Sequence, residues 1–236
     1  MWSGPRNIST ALMRAWGSRD DTIVCDEPLY ANYLQATRIP HPGRDEILAH
    51  HDADWRKVVR TLTGEVPQGK AIFYQKHMAH HLLPEIDRAW LRNLTHAFLI
   101  RDPREMLTSL IRVTPEPCLE DTGLPQQWEI FQFVRREFGT VPPVVDARDV
   151  LTAPRDLLRA LCSALEVPFQ EAMLSWEAGP RPTDGIWAKY WYARVEASTG
   201  FEPYRAKSDA VPTRLLPLYE SCLDYYQRLH VHRLKP

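Results

Sequence analysis

The chain has 236 residues, of which 25% are charged and 44% hydrophobic, and its formal net charge is −1 at pH 7. A chain of this length buries a sizeable core within one α/β domain. A charge so close to zero excludes a broad surface for polyanions, so nucleic acid is not an expected partner and any anion site must be local. Four widely spaced cysteines without a Cys-x-x-Cys pair favour a reduced, cytoplasmic protein. No apolar run reaches the length of a membrane span, so we expect no membrane partner.

The predicted elements alternate between helices and short apolar strands. Ile8, Leu12 and Trp16 recur every four residues and predict a helix over residues 8–17. The other predicted helices cover residues 29–36, 52–63, 128–138, 154–165 and 212–229, and one more starts at Asp102; the predicted strands are 22–25, 70–75, 95–100 and 143–146. Such alternation predicts an α/β fold with a central parallel sheet and helices on both faces, a three-layer α/β/α arrangement.

The first motif is a Gly-Pro turn that leads through Arg6 into the first helix. Gly4 allows the backbone to approach a ligand closely. Arg6 carries a permanent charge, and its forked guanidinium grips oxyanions. Ser9 and Thr10 fall in the first helical turn, where free N–H groups and the helix dipole favour phosphate or sulfate. The stretch lacks the Lys of a Walker A loop, and it predicts a local anion site; the alternative is an ordinary capped helix after a turn.

The second motif extends from Arg101 to Ser109. Arg101 lies where an apolar strand ends, at the edge of an open α/β sheet that usually binds ligands. Asp102 predicts a helix cap, Pro103 the first turn, and Glu105 the reciprocal residue of a capping box. Ser109 lies in the same helix, so that it and Arg101 can hold one phosphate from two sides. The alternative is that Arg101 only pairs with a nearby carboxylate.

Taken together, these motifs resemble those of the sulfotransferases that use 3′-phosphoadenosine 5′-phosphosulfate (PAPS). The family's 5′-phosphosulfate loop resembles the run Gly4, Pro5, Arg6, Asn7, Ile8, Ser9 and Thr10, in which Asn7 and Ile8 replace the commoner Ser and Gly. Its 3′-phosphate motif resembles Arg101 to Ser109, and a bacterial-type stretch resembles residues 146–169. The likeness covers residues 1–175 and is especially strong to bacterial sulfotransferase-like proteins.

This resemblance implies a fold like that of P-loop-containing nucleotide hydrolases. It implies a single domain over residues 1–236, with a truncated first strand and with residues 180–236 as a lid and C-terminal helical part. It also implies PAPS as cosubstrate, adenosine 3′,5′-bisphosphate as product, and no metal. The expected activity is in-line transfer of a sulfuryl group from PAPS to a hydroxyl or amine of a small acceptor.

Sulfuryl transfer requires charge neutralisation on the leaving phosphate, for which Arg6 is the candidate, and a general base. Glu27 ends the strand after the first helix and resembles the catalytic Glu that some sulfotransferases keep there. His77 stands in a Lys76-His77 pair and resembles the family's Lys-x-His without its spacer. The position at the ligand edge favours Glu27. The alternatives are a helix-start carboxylate for Glu27 and a core or surface histidine for His77.

Other interpretations stay open at this point. A P-loop kinase or nucleotide hydrolase would use Asp146 as its Walker B residue, and an inactive nucleotide-binding relict of the fold would need no base at all. The aromatic segment 187–194 predicts stacking on adenine, an acceptor pocket or a packed loop. His77 and His81 have the spacing of a zinc-binding pair, with His80 between them, but the sequence offers no third ligand. The oligomeric state is left open.

Overall fold

The computed structural model describes residues 1–235. Its strands are β1 (Trp2–Ser3), β2 (Thr22–Asp26), β3 (Ile72–Met78), β4 (Phe98–Ile100) and β5 (Val144–Asp146). Its α-helices are α1 (Ser9–Gly17), α2 (Tyr30–Thr37), α3 (Arg44–His50), α4 (Trp55–Leu62), α5 (Pro103–Leu110), α6 (Leu124–Phe138), α7 (Ala147–Thr152), α8 (Pro154–Ala164), α9 (Ala188–Trp191), α10 (Ala193–Glu196) and α11 (Leu216–His230). Among these residues, no helix combines the length and the apolar character that crossing a membrane requires.

The chain divides into two compact units. The first comprises Met1–Ser9, Thr95–Phe169 and the described residues from Glu202 onward. In it, β4 lies between β1 and β5 with both pairings parallel, and Phe98 is in register with Trp2 and with Val144. All three residues of β4 are buried, as expected for a central parallel strand. The apolar faces of α5, α6 and α11 pack together around Met106, Leu107, Leu110, Leu124 and Cys222.

The second unit comprises Thr10–Leu94 and Gln170–Phe201. Its strands β2 and β3 pair in parallel over five residues, with Asp26 in register with Lys76. Helix α1 packs against β3 through the stacked rings of Trp16 and Tyr74, whose centroids lie 5.2 Å apart. Arg14 of α1 donates to both Asp184 carboxylate oxygens, from Nη1 at 2.6 Å and from Nη2 at 2.7 Å, and this buried ion pair ties α1 to the segment 170–201.

The structure corrects the sequence prediction at β3. This strand continues to Met78, so that Lys76 and His77 lie inside it rather than after it. Because successive side chains of a strand point to opposite faces, Lys76 and His77 project in opposite directions. Helices α3 and α7 were not predicted, since six or seven residues are too few to show a helical period.

The polypeptide before the first motif forms only the two residues of β1. The backbone N–H of Trp2 donates to the Ala97 carbonyl at 2.8 Å, and its indole Nε1 donates to His96 Nδ1 at 3.0 Å. The Gln127 amide, fully buried in α6, donates to the carbonyls of Trp2 and Leu99. These bonds fix the start of the loop that follows β1.

Candidate functional site

The loop between β1 and α1 alternates between backbone conformations. Arg6 has φ +61° and Ile8 has φ +57°, both in the left-handed region, whereas Asn7 between them does not. Such alternation turns successive N–H groups toward one concavity, a nest that suits anions. The Asn7 side chain fastens this loop by donating to the Leu99 carbonyl at 3.2 Å. A β-branched residue is strained at positive φ. The backbone conformation of Ile8 therefore costs conformational free energy, whereas Gly adopts the same conformation freely.

Close packing of the backbone leaves no space for a side chain at Gly4. A Cβ at this position would lie 2.2 Å from the Thr122 carbonyl oxygen. The sequence suggested that Gly4 lets the backbone approach a ligand; the close approach that the structure shows is to the chain's own backbone. A side chain here must therefore displace the loop or the segment around Thr122.

We expect Gly4→Ala to lower the free energy of unfolding by about 1–3 kcal/mol, the usual cost of overpacking. Denaturant unfolding measures this change. Gly17→Ala is the matched control, because its Cβ would lie 3.4 Å from the nearest atom, Val24 Cγ1, which is ordinary contact. Equal costs for the two variants would contradict the packing argument.

Arg6, Arg101 and Ser109, which come from two distant motifs, lie in one hydrogen-bonded group. Arg6 Nε donates to Ser109 Oγ at 3.0 Å, and Arg101 Nη1 donates to the Arg6 carbonyl at 2.7 Å. Arg101 directly follows β4, and Ser109 lies in the last turn of α5. Two guanidinium groups, a hydroxyl and the nest beside them make a donor set suited to phosphate groups.

The anion that Arg101 contacts in the structure is the Glu105 carboxylate. Arg101 donates to Glu105 Oε2 from Nη2 at 2.8 Å and from Nε at 3.2 Å. Burial raises the pKa of Glu105, but hydrogen bonds from Tyr204 and Arg101 outweigh it and hold the pKa below the usual range. The side-chain partners that the structure shows for Glu105 are thus Arg101 and Tyr204, and Asp102 caps α5 by accepting from the N–H of Arg104 at 2.9 Å. The ion pair between Arg101 and Glu105 corresponds to the alternative stated from the sequence, in which Arg101 pairs with a nearby carboxylate.

The segment 202–208 joins the same group, although its sequence shows no recognisable motif. The Tyr204 hydroxyl donates to Glu105 Oε1 at 2.7 Å, and Lys207 Nζ donates to the Glu105 carbonyl at 3.4 Å. The Arg148 guanidinium lies over the Tyr204 ring, 5.3 Å from its centroid. Burial lowers the pKa of Lys207, and the nearby charge of Arg101 adds to that effect. The sequence feature that could have indicated this segment is its pair of cations, Arg205 and Lys207, in a stretch without helical or strand periodicity.

In the second unit, a buried ammonium group organises two carboxylates and a phenol. Lys76 Nζ donates to Asp26 Oδ1 at 2.7 Å, to Glu27 Oε1 at 2.7 Å and to the Tyr192 hydroxyl at 2.6 Å. Tyr192 in turn donates to Asp26 Oδ2 at 2.7 Å. The Lys76 side chain is 1% exposed, and each of its three hydrogens has an acceptor. Trp187 also contacts this group, since its Nε1 donates to the Tyr192 hydroxyl at 3.3 Å.

Glu27 directly follows β2, and its carboxyl group has a raised pKa. Its backbone is in the left-handed region, with φ +40°, and its N–H donates to the Lys76 carbonyl at 2.9 Å. Burial raises the pKa of Glu27, the charge of Lys76 opposes this, and the neighbouring Asp26 raises it further, with a net rise. A carboxylate with a raised pKa accepts a proton more readily than an ordinary one.

His77 lies on the other face of β3 and does not join this group. It shares a hydrogen bond of 3.1 Å with Gln75 Oε1, and its ring lies 6.1 Å from that of Trp90. The histidine beside Glu27 is His81, whose Nδ1 lies 3.9 Å from Glu27 Oε2. Within residues 1–235, no three His, Cys, Asp or Glu side chains are grouped as metal ligands.

Two of the remaining sequence candidates have structural partners. Both Asp146 oxygens are engaged: Oδ1 accepts from the N–H of Arg148 at 2.8 Å and Oδ2 from the Tyr226 hydroxyl at 2.7 Å. In the aromatic segment 187–194, Trp187 is 1% and Tyr192 4% exposed. These two rings are packed side chains.

A profile of the sulfotransferase domain family matches residues 1–231. The chain therefore belongs to the sulfotransferase domain family, as its motifs predicted.

Two proteins of Arabidopsis thaliana are similar to this chain. Branched-chain-amino-acid aminotransferase-like protein 2 is 37% identical over 231 residues, which cover 98% of this chain and 41% of that protein. Branched-chain-amino-acid aminotransferase-like protein 1 is 39% identical over 232 residues, with the same two coverages. The chain thus spans about two fifths of the length of these relatives.

Two solved structures share the fold. The sulfotransferase domain of the Synechococcus PCC 7002 olefin synthase matches with a TM-score of 0.52 and 17% identity, covering 93% of this chain and 92% of that one. The sulfotransferase domain from the curacin biosynthetic pathway matches with a TM-score of 0.50 and 13% identity, covering 100% and 97%. The predicted α/β fold with a parallel sheet, of the P-loop nucleotide-hydrolase type, is confirmed.

Proposed function

We propose that this chain is a PAPS-dependent sulfotransferase that acts on a hydroxyl or amine of a small acceptor. The family provides the class of reaction. The observation that carries the choice of donor is the hydrogen-bonded group of Arg6, Arg101 and Ser109. Two permanent cations and a hydroxyl beside a loop whose conformation suits anions support a donor that carries phosphate groups.

The donor set fits a nucleotide with two phosphate-bearing ends. In this proposal Arg101 and Ser109 hold the 3′-phosphate, which distinguishes PAPS from ordinary adenylates, and Lys207 adds a third cation. Arg6 neutralises charge at the leaving 5′-phosphate. The 5′-phosphosulfate is cradled by the other loop residues, Gly4, Pro5, Asn7, Ile8, Ser9 and Thr10. PAPS supplies the sulfuryl group when bound, and adenosine 3′,5′-bisphosphate is the product.

Glu27 is the proposed general base. Its pKa is raised mainly by burial, and Lys76 fixes its Oε1 by a hydrogen bond of 2.7 Å. The carboxylate therefore has one oxygen held by the protein while the other can take the acceptor's proton. His77 is the weaker candidate, because its side chain is bound to Gln75.

The test is the affinity for adenosine 3′,5′-bisphosphate, measured by calorimetry. We expect Arg101→Ala to weaken binding about 10- to 100-fold, because a charge-assisted contact to phosphate contributes about 1.5–3 kcal/mol. Binding of adenosine 5′-monophosphate, which lacks the 3′-phosphate, is expected to change little. Arg104→Ala is the matched control, since Arg104 is an exposed residue of the same helix.

Two results would contradict the proposal. One is the absence of adenosine 3′,5′-bisphosphate binding to the folded wild-type protein. The other is an equal loss of affinity for both nucleotides in the Arg101 variant, which would indicate a general disturbance rather than a lost 3′-phosphate contact. Circular dichroism of each variant establishes that it is folded.

A further inference from the structure

Two consecutive carboxylates meet one ammonium group where β2 ends. Lys76 Nζ donates to Asp26 Oδ1 and to Glu27 Oε1, both at 2.7 Å. Consecutive residues of a strand direct their side chains to opposite faces, so two such neighbours do not normally share a partner. Glu27 leaves the strand geometry with φ +40°, a backbone conformation that costs conformational free energy for a residue other than glycine. This conformation brings both carboxylates to one ammonium group.

The two carboxylates differ in how the protein binds them. Asp26 accepts from three donors. Its Oδ1 binds Lys76, and its Oδ2 binds the Tyr192 hydroxyl at 2.7 Å and the Gly185 N–H at 3.1 Å. The Asp26 side chain is 1% exposed, whereas that of Glu27 is 12% exposed and binds Lys76 through Oε1. Both oxygens of Asp26 are thus occupied by the protein, and Glu27 is the carboxylate that an acceptor can reach.

The rings that surround Glu27 are neutral at pH 7. They belong to Tyr30, His81 and Tyr192. Burial lowers the pKa of His81 well below its usual range, and it raises the pKa of each tyrosine. The charges that act on Glu27 are therefore those of its other two neighbours, an ammonium group and a carboxylate.

Asp26 acts on Glu27 in two ways that have the same sign. Its negative charge opposes a second negative charge on Glu27, and it also takes part of the attraction that Lys76 would otherwise give to Glu27 alone. Each effect favours the protonated form of Glu27. Burial raises the pKa of Glu27, Lys76 lowers it and Asp26 raises it. Asp26 therefore strengthens Glu27 as a proton acceptor.

We propose that Asp26 is a positioning residue of the sulfotransferase reaction: it binds Lys76, keeps part of the ammonium charge from Glu27, and so maintains Glu27 as a base for the acceptor's proton. The inference rests on the proposed function, because it requires Glu27 to be the base. Asp26 does not itself contact the acceptor, since both of its oxygens are bound within the protein. Two neighbouring carboxylates thus have two roles, which their environments assign.

The first experiment measures the proton affinity of Glu27 and needs no turnover. Carbon-13 NMR follows the side-chain carboxyl carbon of Glu27 through a pH titration, in the wild type and in Asp26→Asn, with Glu27→Gln used for assignment. Asn keeps the shape of the Asp26 side chain and removes its charge. We expect Glu27 to titrate about one pH unit or more lower in the variant, the usual effect of a nearby charge. An equal or higher midpoint in Asp26→Asn overturns the inference.

Asp21→Asn is the matched control. Asp21 lies immediately before β2, at the opposite end of the strand from Glu27, and its carboxylate accepts from the buried Arg19 guanidinium at 2.8 and 2.9 Å. This variant also takes a negative charge from a buried cation, but at a distance from Glu27. We expect its Glu27 midpoint to equal that of the wild type. A fall as large as in Asp26→Asn would indicate a general disturbance and would overturn the inference.

The second experiment follows the pH profile of kcat/KM with radiolabelled PAPS and two probe acceptors, phenethyl alcohol and phenethylamine. In Asp26→Asn we expect the acid limb to move to lower pH and the plateau to fall about 3- to 10-fold, because a weaker base accepts a proton less efficiently. Affinity for adenosine 3′,5′-bisphosphate should stay within about twofold. A lower plateau with an unmoved acid limb indicates structural damage only and overturns the inference.

A third measurement uses the wild type alone, so that the folding of a variant does not decide the result. We expect the carboxyl carbon of Asp26 to keep the resonance of a carboxylate while Glu27 takes up its proton. Proton uptake by Asp26 before Glu27 overturns the inference. Absence of adenosine 3′,5′-bisphosphate binding, or of transfer to both probe acceptors, is instead the failure of the proposed function, and the titrations still measure the effect of Asp26 on Glu27.

Discussion

Replacing Lys76 with Met is expected to lower the free energy of unfolding by about 3–5 kcal/mol. The variant keeps a side chain of similar length but leaves Asp26 and Glu27 buried without their cation. The two carboxylates would then repel each other at a site where water cannot screen them. For a chain of this size, the loss corresponds to a fall of about 6–20 °C in the thermal midpoint. Calorimetry and denaturant unfolding measure both quantities.

Lys57→Met is the control for the loss of a lysine as such. Lys57 is 59% exposed, and its nearest carboxylate, Asp52, lies 3.7 Å away. Exposed pairs of this kind contribute about 0–1 kcal/mol, so the control should unfold almost as the wild type does. A Lys76 variant no less stable than the control would show that the carboxylates do not depend on this cation.

Glu27→Gln is expected to reduce turnover about 10²- to 10⁴-fold, the usual contribution of a general base. The amide keeps the shape of the carboxylate and can still contact Lys76 through its oxygen. Affinity for adenosine 3′,5′-bisphosphate should stay within about twofold, because Glu27 has no role in holding the nucleotide in this proposal. His77→Gln is the paired variant, and a much larger loss there than at Glu27 would reverse the choice of base.

The pH dependence gives a second check on Glu27. Burial raises the pKa of this carboxyl, Lys76 opposes the rise and Asp26 adds to it; Tyr192 also faces the group, and His81 lies 3.9 Å from it. A base acts only when deprotonated, so wild-type kcat/KM falls as the pH falls through this raised pKa. The acid limb should therefore lie above the range of an ordinary carboxylate. A limb in the ordinary range would contradict the role.

The sequence predicts most elements well, because their signals are local. The helix predicted over residues 8–17 is found as Ser9–Gly17, and the strand predicted over 143–146 as Val144–Asp146. The sequence predicts that the strand over residues 70–75 ends before Lys76, because polar side chains usually mark the end of a buried strand. The structure extends this strand, β3, to Met78. In fact Lys76 remains in the strand because Asp26 and Glu27 compensate its charge and Tyr192 accepts its third hydrogen bond. Tertiary partners of this kind leave no trace in a local pattern.

The residues of the candidate site also fall into two groups: those that stand in local motifs and those that only the fold brings together. Arg6, Arg101 and Ser109 could be named because each stands in a recognisable motif. Tyr192 and Tyr204 could not, since they meet their partners across 116 and 99 residues of sequence. The partners of Glu105 are hidden for a related reason: a capping-box Glu and an ion-pairing Glu have the same sequence position, and only the fold brings Tyr204 and Arg101 to its carboxylate.

The ion pair between Arg101 and Glu105 has a consequence for ligand entry. Under the proposed function, a phosphate at Arg101 would compete with the Glu105 carboxylate for the same guanidinium. The Tyr204 hydroxyl is bonded to the same carboxylate at 2.7 Å, so such competition would also change the surroundings of a tyrosine that lies 99 residues further along the chain.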